Sequence, residues 1–162
     1  INHDSLFLWG VLTRIALMAG AMETAVELAV QHAKDRVQFG RPIGKFQAIQ
    51  QQLAIAASEV IASGTVCDAA IRAVDEQDSG KLADIIAMAK LRVNEASTVV
   101  TGIVHQVHGA IGMTEEHQLH LSTKRLGAWR NEYGIERYWA NEIGKKIIAN
   151  GGEALWPFIT SH

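Results

Sequence analysis

Arg36, Gln38 and Phe39 stand close together on the segment Arg36-Val37-Gln38-Phe39-Gly40-Arg41-Pro42-Ile43, whose glycine and proline force a turn. Phe46-Gln47-Ala48-Ile49-Gln50 follows, with apolar residues at helical spacing. A planar guanidinium can grip a pyrophosphate with two parallel hydrogen bonds, which an ammonium cannot do. An amide adds a donor and an acceptor, and an aromatic ring can lie against a planar heterocycle. At the mouth of a helix, whose first N–H groups are unpaired, these are the parts of a clamp for a phosphorylated cofactor. A plainer reading stands beside it. A cation at the end of the preceding helix suits that helix's dipole by about 0.3–1 kcal/mol, and Phe39 and Phe46 can be core anchors.

A second segment, Gln106-Val107-His108-Gly109-Ala110-Ile111-Gly112, also has two readings. On spacing alone it is the glycine stop of an apolar helix, with His108 near the last carbonyls. Taken together, however, the two segments resemble the RxQFGxPIxxFQxIQ and QxxGGxG elements of the acyl-CoA dehydrogenase flavoprotein family, in that family's C-terminal helical domain. The resemblance covers nearly the whole chain. It implies that Arg36, Gln38 and Phe39 contact the FAD of a neighbouring subunit and that Ile43 and Phe46 line the adenine pocket. It also implies that Gln106, Val107, His108, Gly109 and Ala110 let the backbone approach the ADP portion. Ala110 replaces the more usual second glycine; its methyl is tolerable if the backbone angles stay negative.

The family reaction is α,β-desaturation of an acyl-CoA thioester: a carboxylate takes the α-proton while hydride leaves the β-carbon for the flavin. Many members place the glutamate in a Tyr-Glu-Gly-Thr turn. The matching turn here is Glu132-Tyr133-Gly134-Ile135, with Tyr133 in the glutamate's slot and Glu132 one residue early. A phenol is a poor base for an α-proton near neutral pH. Three readings stay open: Glu132 reaches the site through a shifted turn, the base lies on an earlier helix, or the chain is a non-catalytic partner completing a flavin site in a heteromeric enzyme. A domain of a flavin-dependent monooxygenase of the same fold is a further alternative. Without the family, Glu132 reads as a helix-end carboxylate pairing with Arg130 or Arg137, a contact of small worth at a surface. Trp129-Arg130-Asn131-Glu132-Tyr133-Gly134 is similar to a divergent, bacterial and catabolic branch of the family.

Seven histidines raise the question of a metal. His105 with His108, and His117 with His120, are three apart on helical segments, but no Glu-x-x-His pairs face a bundle interior. No metal site is expected from that pattern. Trp9, Trp129, Trp139 and Trp156 read as packing or interface anchors. Lys124, Arg125 and Arg130 read as a solvated basic face. The only cysteine, Cys67, sits in a helical pattern, so no internal disulfide forms.

The positioning elements are helices. Helix one is expected from Asp4 or Ser5 to about Val37. The second carries the stripe Phe46, Ile49, Leu53, Ala56, Val60, Ser63, Cys67, Ile71, Val74 and closes at Asp78-Ser79-Gly80. The third carries Leu82, Ile85, Ala89, Val93, Ala96, Val100, Ile103 and Val107, ending near Gly109 to Gly112. A fourth covers about Glu116 to Glu132 and a fifth Ile135 to about Ala149, with an irregular tail from Glu153 to His162. No convincing strand is found. Long helices with short connections give an all-α, up-and-down bundle of four to five long helices.

At 162 residues the chain is read as one domain, 1–162, and its start at Ile-Asn-His-Asp as a fragment lacking an N-terminal helical and a middle β domain. Net charge is −2 and pI about 6.4, so no basic excess points to nucleic acid. No apolar run is expected to span a bilayer. The resemblance implies an acyl-CoA substrate, an electron-transfer flavoprotein or similar acceptor, a homo-oligomer (dimer or tetramer) or heterotetramer, and the cytoplasm of a bacterium. The fragment alone should bind FAD weakly or not at all, and should not turn over.

Overall fold

The computed structural model describes residues 3–75 and 79–160. Three long helices dominate: α1 (His3–Asp35), α2 (Gln47–Asp75) and α3 (Ser79–His108), of 33, 29 and 30 residues. At 1.5 Å per residue each is a rod of about 45–50 Å. α1, α2 and α3 pack on one another; α4 (Leu119–Asn131) lies on α1 and α3, and α5 (Glu136–Ala149) on α3. The all-α, up-and-down bundle therefore stands, with three long helices and two of about half the length.

Three-four spacing explains the packing. Val11, Ile15, Met18, Met22, Ala25, Ala29 and Ala33 of α1 face the core, as do Ile85, Ala89, Val93, Ala96, Val100, Ile103 and Val107 of α3. Buried alanines on all three long helices let their backbones approach closely, and each fully buried Ile or Met contributes roughly 1.5–3 kcal/mol. Ion pairs Arg92–Glu59 and Lys146–Asp84 tie α3 to α2 and α5.

The structure corrects the sequence reading in five places. Ile71, placed on the buried stripe of α2, is exposed, because the stripe drifts off the core near that helix's end. The stop assigned to Asp78-Ser79-Gly80 falls partly outside the described residues, and α3 already begins at Ser79. A two-residue hairpin, β1 (Val37–Gln38) against β2 (Arg41–Pro42), occupies the first turn. The tail is not irregular: α6 (Leu155–Thr160) forms there, because Pro157 sits in its first turn, where a missing N–H costs nothing. Finally, Leu6–Asp35 and Gln47–Val74 each contain a stretch of mean hydropathy 1.4, long and apolar enough by length and composition to cross a membrane. That apolarity arises because these helices carry large side chains on outward faces as well, Leu17, Ile55 and Ile61 among them.

Candidate cofactor site

The turn after α1 is built by its own backbone. The Arg36 N–H donates to His32 O (2.9 Å), closing the helix, and the Ile43 N–H returns to Arg36 O at 2.8 Å. Val37 pairs with Pro42 and Gln38 with Arg41, so Phe39 and Gly40 form the hairpin tip, with φ of 52° and 76°. Positive φ at both central residues is the geometry of the tight hairpin turn that matches strand twist. Glycine takes it freely; phenylalanine does so at a cost of about 1–2 kcal/mol. Placed at the tip, Phe39 is 92% exposed, its ring edge-on to Phe46 with centroids 6.1 Å apart. Arg36 and Gln38 are exposed alongside it, and Ile43 and Phe46 are half-buried beneath.

Two features hold the turn to the bundle. Gly44 lies so close to α1 that an added Cβ would stand 3.0 Å from Ala33 O. The Gln50 side-chain amide donates to Gly44 O at 2.9 Å. Sequence reasoning missed Arg41, whose guanidinium lies 4.3 Å over the Phe46 ring as a second cation on the same hairpin. A second arginine on the same Gly/Pro turn was the signal available.

The second segment divides. Gln106, Gly109 and Ala110 are exposed and, with Thr101, Gly102, His105 and Met113, line an open groove of about 500 Å³. Val107 and His108 are buried, so these two can offer only main chain to anything in the groove. Gly109 has φ 64°, while Phe39 and Tyr133 are the non-glycine residues with positive φ among those described. Ala110 therefore keeps ordinary backbone angles, as its methyl requires. His32 stacks on His108 with centroids 4.6 Å apart, which puts the Arg36 turn and the Gln106 segment at the same end of the bundle.

The turn between α4 and α5 lies far from there along α1. Glu132 pairs with Arg14 of α1, not with Arg130 or Arg137; Arg130 pairs instead with Glu136. Tyr133, with φ 58°, lays its ring on α1, edge-on to Phe7 at 5.6 Å, with the Arg14 guanidinium 5.8 Å from its centroid. The notch it occupies exists because residue 10 is glycine: a Cβ there would fall 2.6 Å from the ring.

A buried lysine fastens this turn from beneath. The Lys90 ammonium donates to Asn94 Oδ1 (2.7 Å) and to Trp129 O (3.0 Å), with Met18 Sδ 3.8 Å away. The Asn94 amide in turn donates to Arg130 O and Gly134 O, at 3.2 and 3.3 Å. Burial pulls the Lys90 pKa down to about 8, against Glu136 and Glu132, whose charges favour the ammonium. A lysine inside an apolar repeat gives no sequence signal of this role.

A bundle of long helices whose one end offers two guanidiniums, an amide and an aromatic ring beside a glycine-edged groove is a helical domain suited to a flavoprotein oxidoreductase. The chain belongs to the acyl-CoA dehydrogenase family: residues 5–147 match the family described as "Acyl-CoA dehydrogenase, C-terminal domain". Acyl-CoA dehydrogenase IpdE2 of Mycobacterium tuberculosis is 38% identical over 106 residues, covering 65% of this chain and 31% of its own. Acryloyl-CoA reductase (NADH) of Anaerotignum propionicum is 33% identical over 132 residues, covering 80% of this chain and 31% of its own. Among solved structures, the ChsE4-ChsE5 complex from Mycobacterium tuberculosis superimposes with a TM-score of 0.83 at 27% identity, over 90% of this chain and 39% of that one. The chain thus spans less than a third of the length of these two curated relatives.

Proposed function

We propose that this chain, residues 1–162, is the FAD-binding and oligomerising domain of a larger acyl-CoA dehydrogenase that introduces an α,β double bond into an acyl-CoA thioester. The observation that carries the reading is the strained, outward Phe39 flanked by exposed Arg36 and Gln38, at the same end of the bundle as the groove of Gln106, Gly109 and Ala110. The residues fit the group. Arg36 and Gln38 would hold the pyrophosphate, Phe39, Ile43 and Phe46 the adenine, and the groove's open backbone the remainder of the ADP portion. Bound FAD would supply the hydride acceptor. The CoA thioester substrate is supported by relatives whose names specify an acyl-CoA dehydrogenase and an acryloyl-CoA reductase. The rest of the reading is an N-terminal helical and a middle β domain in the same polypeptide, an electron-transfer flavoprotein or similar acceptor, and the cytoplasm of a bacterium.

A second reading is favoured by a specific observation. Tyr133 fills the slot of the family base and is locked into the Gly10 notch, while Glu132 is engaged by Arg14. A partner subunit that completes another chain's flavin site would carry this arrangement, and one structural relative is a complex of two chains.

The test is an FAD titration of this chain, alone and with the full-length protein, followed by flavin fluorescence and oligomer mass. Saturable binding by an oligomer, weak or absent for this chain alone and lost in Arg36→Ala, is the expected result; absence of binding in both settings overturns the clamp. Glu132→Gln in the full-length protein tests Glu132 as the base. A dehydrogenase using Glu132 loses at least about a hundredfold in kcat, whereas an unchanged kcat rules that role out and leaves a base on an earlier helix or a partner subunit.

A further inference from the structure

His32, His108 and His117 come from three elements far apart in sequence: the last turn of α1, the last turn of α3 and the segment leading into α4. The fold gathers them. One ring nitrogen from each lies within 4.8 Å of the other two. His108 stacks on His32 at 4.6 Å and meets His117 at 4.5 Å. We propose that these three imidazoles bind a divalent transition metal, zinc the first candidate, which pins the end of α1 to the end of α3 and to the entry of α4.

His108 carries the argument. Its Nδ1–H donates to Val104 O at 2.7 Å, which fixes the tautomer and leaves Nε2 with a lone pair. That Nε2 is buried and has no hydrogen-bond partner. A buried acceptor without a donor is costly, and a cation answers it. A backbone carbonyl holding the far nitrogen is also the usual support of a metal-bound imidazole. Burial first, and then the neighbouring imidazoles, lower the pKa of His32 and His108, with the Val104 carbonyl opposing the shift at His108. Three imidazoles with a fourth position for water suit zinc, and they suit cobalt, nickel and copper as well.

The geometry also shows what must move. Nitrogens each about 2.0–2.1 Å from one tetrahedral ion lie roughly 3.4 Å apart, so the rings close inward by about an ångström and the His32–His108 stack opens. His117 Nδ1 accepts the Leu119 N–H at 3.1 Å, so that ring must turn over or surrender this contact. Leu119 is the first residue of α4, where an unpaired N–H is ordinary. Asp35 favours a cation near His32 and Arg36 opposes it.

The probe is the metal itself. After dialysis against chelator, the chain is titrated with Zn²⁺ by calorimetry and with Co²⁺ by visible absorption, in the absence of flavin. One equivalent should bind saturably, and Tm should rise with metal concentration. His32→Gln and His117→Gln should each weaken binding at least about tenfold, with His120→Gln unchanged. If His117→Gln does not fold, His32→Gln and the wild-type ring-nitrogen NMR signals decide, the His108 signal shifting with the first equivalent. Lack of one-to-one binding, an unmoved His108 signal, or affinity that survives His32→Gln overturns the site. Because flavin is absent throughout, failure here leaves the cofactor clamp standing.

Discussion

Lys90 shows what a single side chain does in this protein. Its ammonium supplies the donors for Asn94 Oδ1 and Trp129 O, so Lys90→Ala strands two acceptors and opens a cavity, costing about 3 kcal/mol by urea denaturation. Lys90→Met, filling the space beside Met18, should cost less. The pH dependence has a definite sign. With a folded pKa of about 8 against 10.5 unfolded, the unfolded chain binds more protons between these values. Stability therefore gains a rising component from pH 8 to 10.5, which Lys90→Met should lack when both proteins are unfolded at the two pH values. None of this was legible in the sequence, where a lysine among alanines and isoleucines reads as a surface residue. The same holds for Glu132, whose partner Arg14 lies 118 residues away and cannot be guessed from neighbours on its own helix. The Arg36–Phe39 cluster was legible because its geometry is local: glycine and proline set the turn, and the side chains ride on it.

At the scale of elements, two glycines mark where the chain is fitted to itself. Gly10→Ala should expel Tyr133 from α1, seen as faster amide exchange across residues 132–134 and a loss of about 1–3 kcal/mol. Gly44→Ala meets a backbone oxygen, which cannot swing aside, so the hairpin must lift from α1. Its expected signature is weakened FAD binding with helicity by circular dichroism retained. Gly109 differs: space around it is open and only its φ of 64° demands glycine, so Gly109→Ala should cost about 1 kcal/mol, read as a modest fall in Tm, without displacing a neighbour. Helix registers were readable along most of α3 because one face is buried from end to end. They failed where that condition lapses, at Ile71 and in the tail, where two glycines suggested a stop and short α6 follows.

For the whole molecule, apolar surface left on α1 and α2 is the dominant feature. Leu17, Ile55 and Ile61 are exposed, and a groove of about 300 Å³ runs between the helices past Gly20 and Gly64. A second copy laid along these helices would cover it, so Ile61→Glu should shift sedimentation from oligomer toward monomer. Bundle class was legible from length and periodicity, whereas the convergence of His32, His108 and His117 was not, since it depends on how three helix ends meet. Arg14 lies within α1, and Arg36 directly follows its last residue, Asp35. They are separated by about 33 Å along the helix axis, so with the neighbouring-subunit contact that the family resemblance implies, the clamp and the base turn of one chain would address different flavins. Two defective genes should then rescue one another. Mixed subunits carrying Arg36→Ala and a base-turn defect would recombine intact halves, and about a quarter of the sites should regain activity where either parent alone has none.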